Sequence, residues 1–206
     1  MLKDEIRHGE CETLDFKHTI SSAKKIAKTL SAFANTKGGK LLIGIKDNGC
    51  VVGANIEEER FMLEGAADLE CKPPVEIVFS EEVVEGKMVL VAYVPESNCK
   101  PHYARDENQK WWAYLRVNDE CILAGRIMLE VMKLETKEIP SRINYGPAEQ
   151  VLLQYLINND AITIKQFTKL ANIPYWKAGK ILVSLIRMGL IKAVLDNNRE
   201  CFISNH

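Results

Sequence analysis

The sequence predicts an α+β protein in which a mixed β-sheet domain with packed helices is followed by a small winged helix-turn-helix domain. Strands and helices succeed one another too irregularly over residues 1–135 for a doubly wound fold. Residues 31–53 read as a helix end, an apolar strand and a hairpin turn. Residues 147–206 read as helix, short strand, helix, turn, helix and hairpin, which is the order of a winged helix.

The first module is organised around residues 31–53. Before them, a buried helix face is predicted by apolar residues three and four positions apart, namely Ile20, Ala23, Ile26, Ala27, Leu30 and Phe33. Gly38 and Gly39 end that helix with a left-handed cap. Residues 41–45 are a short apolar strand, and Asn48-Gly49 is typical of a two-residue hairpin.

The remaining elements of this module follow from the same signals. Alternation predicts strands at residues 12–17, 75–79, 88–94 and 111–117, and helical spacing predicts helices at 56–69 and 122–134. A turn is expected at Glu85-Gly86. The polar loop at 95–110 is longer than most connections, and such loops are often functional. Residues 136–146 form the predicted linker.

The second module spans residues 147–206. Pro147 suits the first position of a helix. A short strand at 162–164, helices at 165–171 and 175–188, and a hairpin of strands 190–195 and 200–204 complete the winged-helix order.

Composition indicates a globular protein of the cytoplasm. Hydrophobic residues make up 47% of the chain and charged residues 27%, which is ordinary for a soluble protein. No apolar run approaches the roughly 20 residues of a membrane span, and residues 1–10 are too charged for a secretory signal. The six cysteines lack zinc-site spacing, so we expect free thiols.

The charge of the chain is distributed unevenly. The net charge is −1, but residues 141–206 contain eight basic and four acidic side chains, which leaves the remainder at −5. Because an acidic first module is joined to a basic second module, we expect the second module to bind a polyanion.

Several blocks together resemble a known family. Residues 10–17 (ECETLDFK), 32–39 (AFANTKGG), 41–49 (LLIGIKDNG), 100–103 (KPHY) and 113–117 (AYLRV) resemble the Schlafen-type, Alba-like DNA-binding domain of bacterial regulators. They also resemble the nucleic-acid-processing core of animal Schlafen proteins. The match covers most of residues 10–124, and the resemblance implies DNA or RNA as a partner.

The resemblance implies one candidate catalytic site. In nucleolytic relatives three carboxylates form a metal-dependent ribonuclease site, and the matching positions here are Glu10, Asp15 and Asp47. Such carboxylates hold Mg²⁺ or Mn²⁺ at a scissile phosphate, where Lys17 could neutralise developing charge. Asp15 is shorter than the glutamate common in the family. The alternative is structural acidity, because an aspartate also suits the turn at Asp47.

The glycine-rich segment at residues 35–40 has two interpretations. Glycine loops with lysine can cradle phosphates, but a P-loop lies between a strand and a following helix, and here the order is reversed. We therefore expect a helix cap and turn, without ATP binding.

Basic and aromatic residues form the candidate nucleic-acid contacts of the first module. These are Lys24, Lys25, Lys28, Lys100, Tyr103, Arg105, Trp112, Tyr114 and Arg116. Alternation places Trp112, Tyr114 and Arg116 on one strand face, where they could stack exposed bases. The alternative is that both faces of this strand are buried. His102 is expected to be a loop hydrogen-bonding residue.

In the second module, residues 175–188 are the predicted recognition helix. Its early residues Tyr175, Trp176, Lys177 and Lys180 would face a DNA major groove, while Asn198 and Arg199 would lie on the wing. Two alternatives remain, because Trp176 could instead be a core residue and winged helices also dock proteins or dimerise.

These observations predict a cytoplasmic nucleic-acid-binding protein, with a DNA-binding transcriptional regulator as the preferred function. The first alternative is an Mg²⁺- or Mn²⁺-dependent endoribonuclease that uses the three carboxylates. The second is a protein-docking or assembly module. Many helix-turn-helix proteins dimerise, so a homodimer is compatible with the sequence. No membrane partner is expected.

Overall fold

A computed structural model describes residues 2–135, 146–196 and 199–205. The chain forms two compact units, Met1–Ala124 and Gly125–His206. Helices and mixed sheets in the first unit confirm the predicted α+β class. Within the described residues, no helix is both long and apolar enough to cross a membrane.

The first unit contains three helices and eight strands among its described residues. The helices are α1 (Leu2–His8), α2 (Ala23–Asn35) and α3 (Ile56–Leu69). The strands are β1 (Leu14–Lys17), β2 (Gly39–Ile43), β3 (Cys71–Lys72), β4 (Val78–Val84), β5 (Lys87–Val94), β6 (Tyr103–Arg105), β7 (Trp111–Val117) and β8 (Glu120–Leu123).

The first sheet has the strand order β1-β2-β5-β4 and is covered on both faces. Strands β1 and β2 are parallel, and the other pairs are antiparallel. Because side chains alternate along a strand, Leu41 and Ile43 join the core formed with α2 and α3, while Leu42 joins the core beneath α1. The sheet is therefore the central layer of this unit.

The second sheet has the order β3-β6-β7-β8, with antiparallel pairing. It contributes Ala104 and Tyr114 to the core that contains α2. The observed strand β7 has the predicted bounds. The predicted helix at 122–134 is wrong in its first part, because residues 120–123 pair with β7 as an antiparallel strand.

The predicted glycine turn and hairpin turn are both present, with one difference. Gly38 has φ +72°, and its N–H donates to the Phe33 carbonyl, which ends α2 as expected. Gly49 has φ +80° in the hairpin turn at Asn48-Gly49. A single β-bridge between Ile45 and Val51 flanks this turn, in place of the paired strands of a regular hairpin.

The second unit contains helices packed on a three-stranded sheet. Its helices are α4 (Arg126–Leu134), α5 (Pro147–Asn158), α6 (Ile164–Leu170) and α7 (Tyr175–Arg187). Its strands are β9 (Ile162–Thr163), β10 (Ile191–Asp196) and β11 (Arg199–Ser204), in the antiparallel order β10-β11-β9. Leu152, Phe167, Leu182 and Phe202 are fully buried in its core.

The helix α4 was expected in the first module, but it packs with the second unit. The carboxylate of Glu200 on β11 accepts hydrogen bonds from the backbone N–H groups of Ile127 and Met128 at the start of α4. Ile127 and Val131 are buried in the core of the second unit. The first unit consequently ends at Ala124. Most of the predicted linker, residues 136–145, lies outside the described residues.

Candidate nucleic-acid interface

Two of the three predicted carboxylates lie together at β1. Glu10 Oε1 accepts a 2.8 Å hydrogen bond from the Phe16 backbone N–H. The Lys17 ammonium lies 2.8 Å from Asp15 Oδ2 and 3.9 Å from Glu10 Oε1. Burial, together with the adjacent Asp15, raises the pKa of Glu10 above its ordinary value, although the Phe16 hydrogen bond acts in the opposite direction.

Asp15 has a second cationic neighbour in Arg116, which reaches it from β7. The guanidinium donates a 2.9 Å hydrogen bond to Asp15 Oδ1 and a 3.3 Å bond to the Leu14 carbonyl. It also donates to the Cys11 carbonyl and lies 5.3 Å from the centre of the Phe33 ring. The Asp15 carboxylate is thus engaged by two positive groups.

This arrangement does not fit the predicted Mg²⁺ or Mn²⁺ site. Asp47 is exposed in the turn after Ile45 and does not join Glu10 and Asp15. In the part of the chain that the structure describes, no three His, Cys, Asp or Glu side chains are grouped so that they could hold a metal ion. The two Asp15 oxygens also face cations already, with Arg116 2.9 Å from Oδ1 and Lys17 2.8 Å from Oδ2. No catalytic step through a metal follows from these residues.

The stacking face predicted on β7 does not form. Tyr114 and Arg116 expose only 8% and 2% of their surfaces, because this face of β7 packs on α2. Neither side chain is accessible to a base, and both assignments to a nucleic-acid surface are corrected. Trp112 is 42% exposed, and its indole N–H donates to Asp106 Oδ2 at 2.9 Å.

Most of the other predicted basic contacts of the first unit are engaged with acidic side chains. Arg105 forms two hydrogen bonds of 2.8 and 2.7 Å with Glu70. Lys24 lies 3.7 Å from Glu107, and Lys100 pairs with Glu96. Lys25 is exposed, Tyr103 is half-buried, and Lys28 lies over the Tyr114 ring. The first unit, with 16 basic and 21 acidic residues, has a net charge of −5.

A buried polar network joins α2 to the loop before β6 and to β7. The Asn35 amide donates to the backbone carbonyls of His102 and Tyr114 at 2.8 and 3.0 Å, and its oxygen accepts from the His102 N–H at 2.7 Å. Ser31 Oγ donates to the same His102 carbonyl. The network therefore attaches the loop before β6 to α2 by hydrogen bonds. Sequence reasoning did not assign this role to Asn35 or Ser31, because their partners are distant in the chain.

The His102 ring has the structural role expected for it. Its Nδ1 is 2.9 Å from the Pro73 carbonyl, which can only accept, so Nδ1 carries the proton and Nε2 accepts from Ser97 Oγ at 2.7 Å. Burial lowers the pKa of His102 below its ordinary value, and the nearby Lys100 acts in the same direction. The neutral ring therefore bridges Ser97 in the loop before β6 to Pro73, which follows β3.

The second unit exposes the residues predicted for its recognition helix. Ala178, Ile181, Leu182 and Leu185 form the buried face of α7. The opposite side and the start of the helix expose Tyr175, Trp176, Lys177 and Lys180. Trp176 is 60% exposed, so it is not a core residue. Arg199 is exposed, whereas Asn198 lies outside the described residues.

A groove between α4 and α7 adds residues that the sequence did not single out. It encloses about 460 Å³, and its walls carry Ile127, Leu134 and Val183. Tyr175 and Trp176 lie at one end of its lining, and Arg126, Lys180 and Arg187 contribute positive charge against the single acidic residue Glu130. Arg126 lies over the Tyr175 ring and Lys180 over the Trp176 ring, at 5.6 and 5.2 Å. The position of α4 could not have been predicted from local pattern alone.

Comparisons with known proteins bear mainly on the first unit. The family model described as "Schlafen, AlbA_2" matches residues 10–125, and a model described as "PCI domain" matches residues 148–206. No curated protein matches the chain.

Several solved structures are similar to the chain, among them the following two. The crystal structure of the DIP2311 protein from Corynebacterium diphtheriae has 19% identity and a TM-score of 0.46 over 94% of this chain and 34% of that one. The chain thus spans about a third of that protein. The NMR structure of the N-terminal domain of a RecG-related protein from Nitrosomonas europaea has 26% identity and a TM-score of 0.44, over 61% of this chain and 94% of that domain.

Proposed function

Because the chain belongs to the Schlafen, AlbA_2 family over residues 10–125, we propose that it is a nucleic-acid-binding protein whose second unit makes the main contact. In this proposal the second unit is a winged helix-turn-helix. The turn between α6 and α7, and the β10–β11 hairpin that follows, support that assignment. The role is regulatory, through binding and not cleavage, and transcription is the process that we propose it regulates.

One observation carries the proposal. The helix α7 contains no acidic residue, and it exposes Tyr175, Trp176, Lys177 and Lys180 away from its buried face. The second unit has 11 basic and seven acidic residues, so its net charge is +4, whereas the net charge of the first unit is −5. Positive charge next to exposed aromatic rings is the surface chemistry of nucleic-acid contacts.

The endoribonuclease alternative has less support. Asp15 is held by Arg116 and Lys17, and Asp47 is not grouped with the other two carboxylates. An apolar exposed face on α7 would favour the docking-module alternative, whereas the exposed positions combine aromatic rings with lysines.

Binding is tested by fluorescence anisotropy with labelled RNA, single-stranded DNA and duplex DNA over a range of salt concentrations. We expect affinity to fall steeply with salt, because phosphate contacts release counterions. Lys177→Gln should reduce the slope of log affinity against log salt by about 1. Lys46→Gln, which removes an exposed charge in the first unit, is the matched control and should leave the slope unchanged.

The same samples, incubated with Mn²⁺ and resolved on a gel, test the enzymatic alternative. We expect shifted but intact nucleic acid with both the wild type and Asp15→Asn. Cleavage that disappears in Asp15→Asn would replace the regulatory proposal with the nucleolytic one.

A further inference from the structure

The groove between α4 and α7 places α4 beside the exposed aromatic residues at the start of α7. The two helices are in contact: a Cβ atom added to Gly179 would lie 3.4 Å from Ile127 Cδ1. Ile127 and Val183 are both buried in the same core. The helix α4 therefore forms a wall beside the exposed face of α7.

This wall disfavours the insertion of α7 into duplex DNA. A helix with its side chains is about 10–12 Å in diameter, and the major groove of B-DNA is about 12 Å wide, so it admits one helix and not two side by side. Glu130 of α4 would also bring a negative charge towards the phosphates. The predicted entry of α7 into a major groove thus meets a steric and an electrostatic obstacle.

We infer that the groove between α4 and α7 binds a single-stranded segment of DNA or RNA, with an unpaired base stacked on Trp176 and phosphates near Lys180 and Arg126. The inference rests on the proposed nucleic-acid-binding function and specifies its ligand. Both walls supply cations, Arg126 from α4 and Lys180 from α7, so a polyanion running along the groove meets positive charge on either side.

The exposed rings favour a nucleic acid over an acidic peptide. Trp176 exposes 60% of its surface and Tyr175 exposes 42%. Lys180 and Arg126 lie over these two rings, so each aromatic platform is paired with a cation. Stacking on aromatic rings beside positive charge is how proteins bind single strands without sequence preference, because every base has a flat face.

The test uses the intrinsic fluorescence of Trp176 in the full chain. Trp111 and Trp112 are the other two tryptophans, and Trp111→Phe with Trp112→Phe leaves Trp176 as the only one. This protein is titrated with an oligothymidylate and an oligouridylate of about 16 nucleotides, the upper end of common site sizes. A blunt DNA duplex of the same length and a polyglutamate of matched charge are titrated in the same way.

We expect the single strands to quench Trp176 and to bind at least about tenfold more tightly than the duplex, because only unpaired bases can stack in the groove. Equal or tighter duplex binding would overturn this inference and leave the proposed function standing. Quenching by polyglutamate at the affinity of the single strands would also overturn it. Failure of all nucleic acids to bind would overturn both proposals.

Variants separate stacking from charge. Trp176→Ala should weaken single-strand binding by about ten- to a hundredfold, measured by anisotropy, whereas Trp176→Phe should retain most of the affinity. Lys180→Gln should weaken binding more than Lys165→Gln, because Lys165 is an exposed lysine of α6 that does not line the groove. Equal effects of the two lysine variants would overturn the placement of phosphates in the groove.

Discussion

The Arg116 guanidinium donates a 2.9 Å hydrogen bond to Asp15 Oδ1, although the two residues are 101 positions apart in the chain. Both residues are buried, because Arg116 exposes only 2% of its surface and Asp15 only 4%. Since Arg116 lies on β7 and Asp15 on β1, the pair connects the two sheets of the first unit. The carboxylate that the family resemblance implied as a metal ligand thus has a structural partner.

Removing Arg116 should destabilise the first unit strongly. Arg116→Met leaves the buried Asp15 carboxylate with Lys17 alone, and breaking a buried pair costs about 3–5 kcal/mol of unfolding free energy. Asp15→Asn should cost less, because the amide oxygen still accepts from Arg116. Urea unfolding followed by tryptophan fluorescence in a Trp176→Phe background measures the first unit, which contains Trp111 and Trp112.

The control for this prediction is Lys46→Met, which removes an exposed cation of the same unit and should change stability by no more than about 0.5 kcal/mol. If Arg116→Met unfolded at the same urea concentration as the wild type, the buried pair would not be a stabilising feature.

The stability of the first unit should fall as the pH is lowered through the titration of His102. Burial lowers the pKa of this residue in the folded chain, so the unfolded chain takes up the proton first, at about pH 6.5. The contribution of His102 to the free energy of unfolding is therefore constant above that pH. Below it, the free energy of unfolding decreases by up to about 1.4 kcal/mol per pH unit until the pKa of the folded chain is reached. Urea unfolding at about pH 7.5 and about pH 5.5 measures the change.

His102→Asn should lower stability at both pH values but should show a smaller difference between them, because the titrating group is gone. The exposed His18, replaced by Gln, is the matched control and should retain the wild-type difference. A full pH dependence in His102→Asn would assign the effect to another group.

Asn35 should be among the least replaceable polar residues of the first unit. Asn35→Leu removes the amide oxygen that accepts from the His102 N–H and the amide NH₂ group that donates to the His102 and Tyr114 carbonyls. The buried His102 N–H and Tyr114 carbonyl therefore lose these hydrogen bonds. Each such group costs about 1–3 kcal/mol. We expect a large loss of unfolding free energy and faster hydrogen exchange in the loop before β6. Normal exchange protection in that loop would contradict the anchoring role.

Two glycines should respond to alanine in opposite directions. A Cβ atom on Gly39 would lie 2.5 Å from the Phe33 ring, so Gly39→Ala should destabilise by about 1–3 kcal/mol through overpacking. A Cβ atom on Gly65, within α3, meets nothing within 4 Å, so Gly65→Ala should stabilise by up to about 1 kcal/mol. Thermal unfolding compares them. A neutral Gly39→Ala would show that the Phe33 ring does not exclude a side chain at this position.

The bounds of several elements could be predicted because their signals are local. Strand β7 and the start of α7 have the predicted limits, since alternation and helical spacing are read from neighbouring residues. The region around residue 122 was mispredicted because an apolar run of a few residues fits a strand as well as a helix. Pairing with β7, which is a tertiary interaction, makes residues 120–123 a strand.

The α+β class, the glycine turn after α2 and the unequal charge of the two halves follow from the sequence, because periodicity, backbone freedom and charge are local properties. The burial of Arg116 against Asp15, the hydrogen bonds between Asn35 and His102, and the hydrogen bonds of Glu200 to the start of α4 depend on the tertiary structure. These contacts join residues 67 or more positions apart. Burial and partner choice at such separations depend on how whole elements pack, which no local pattern encodes.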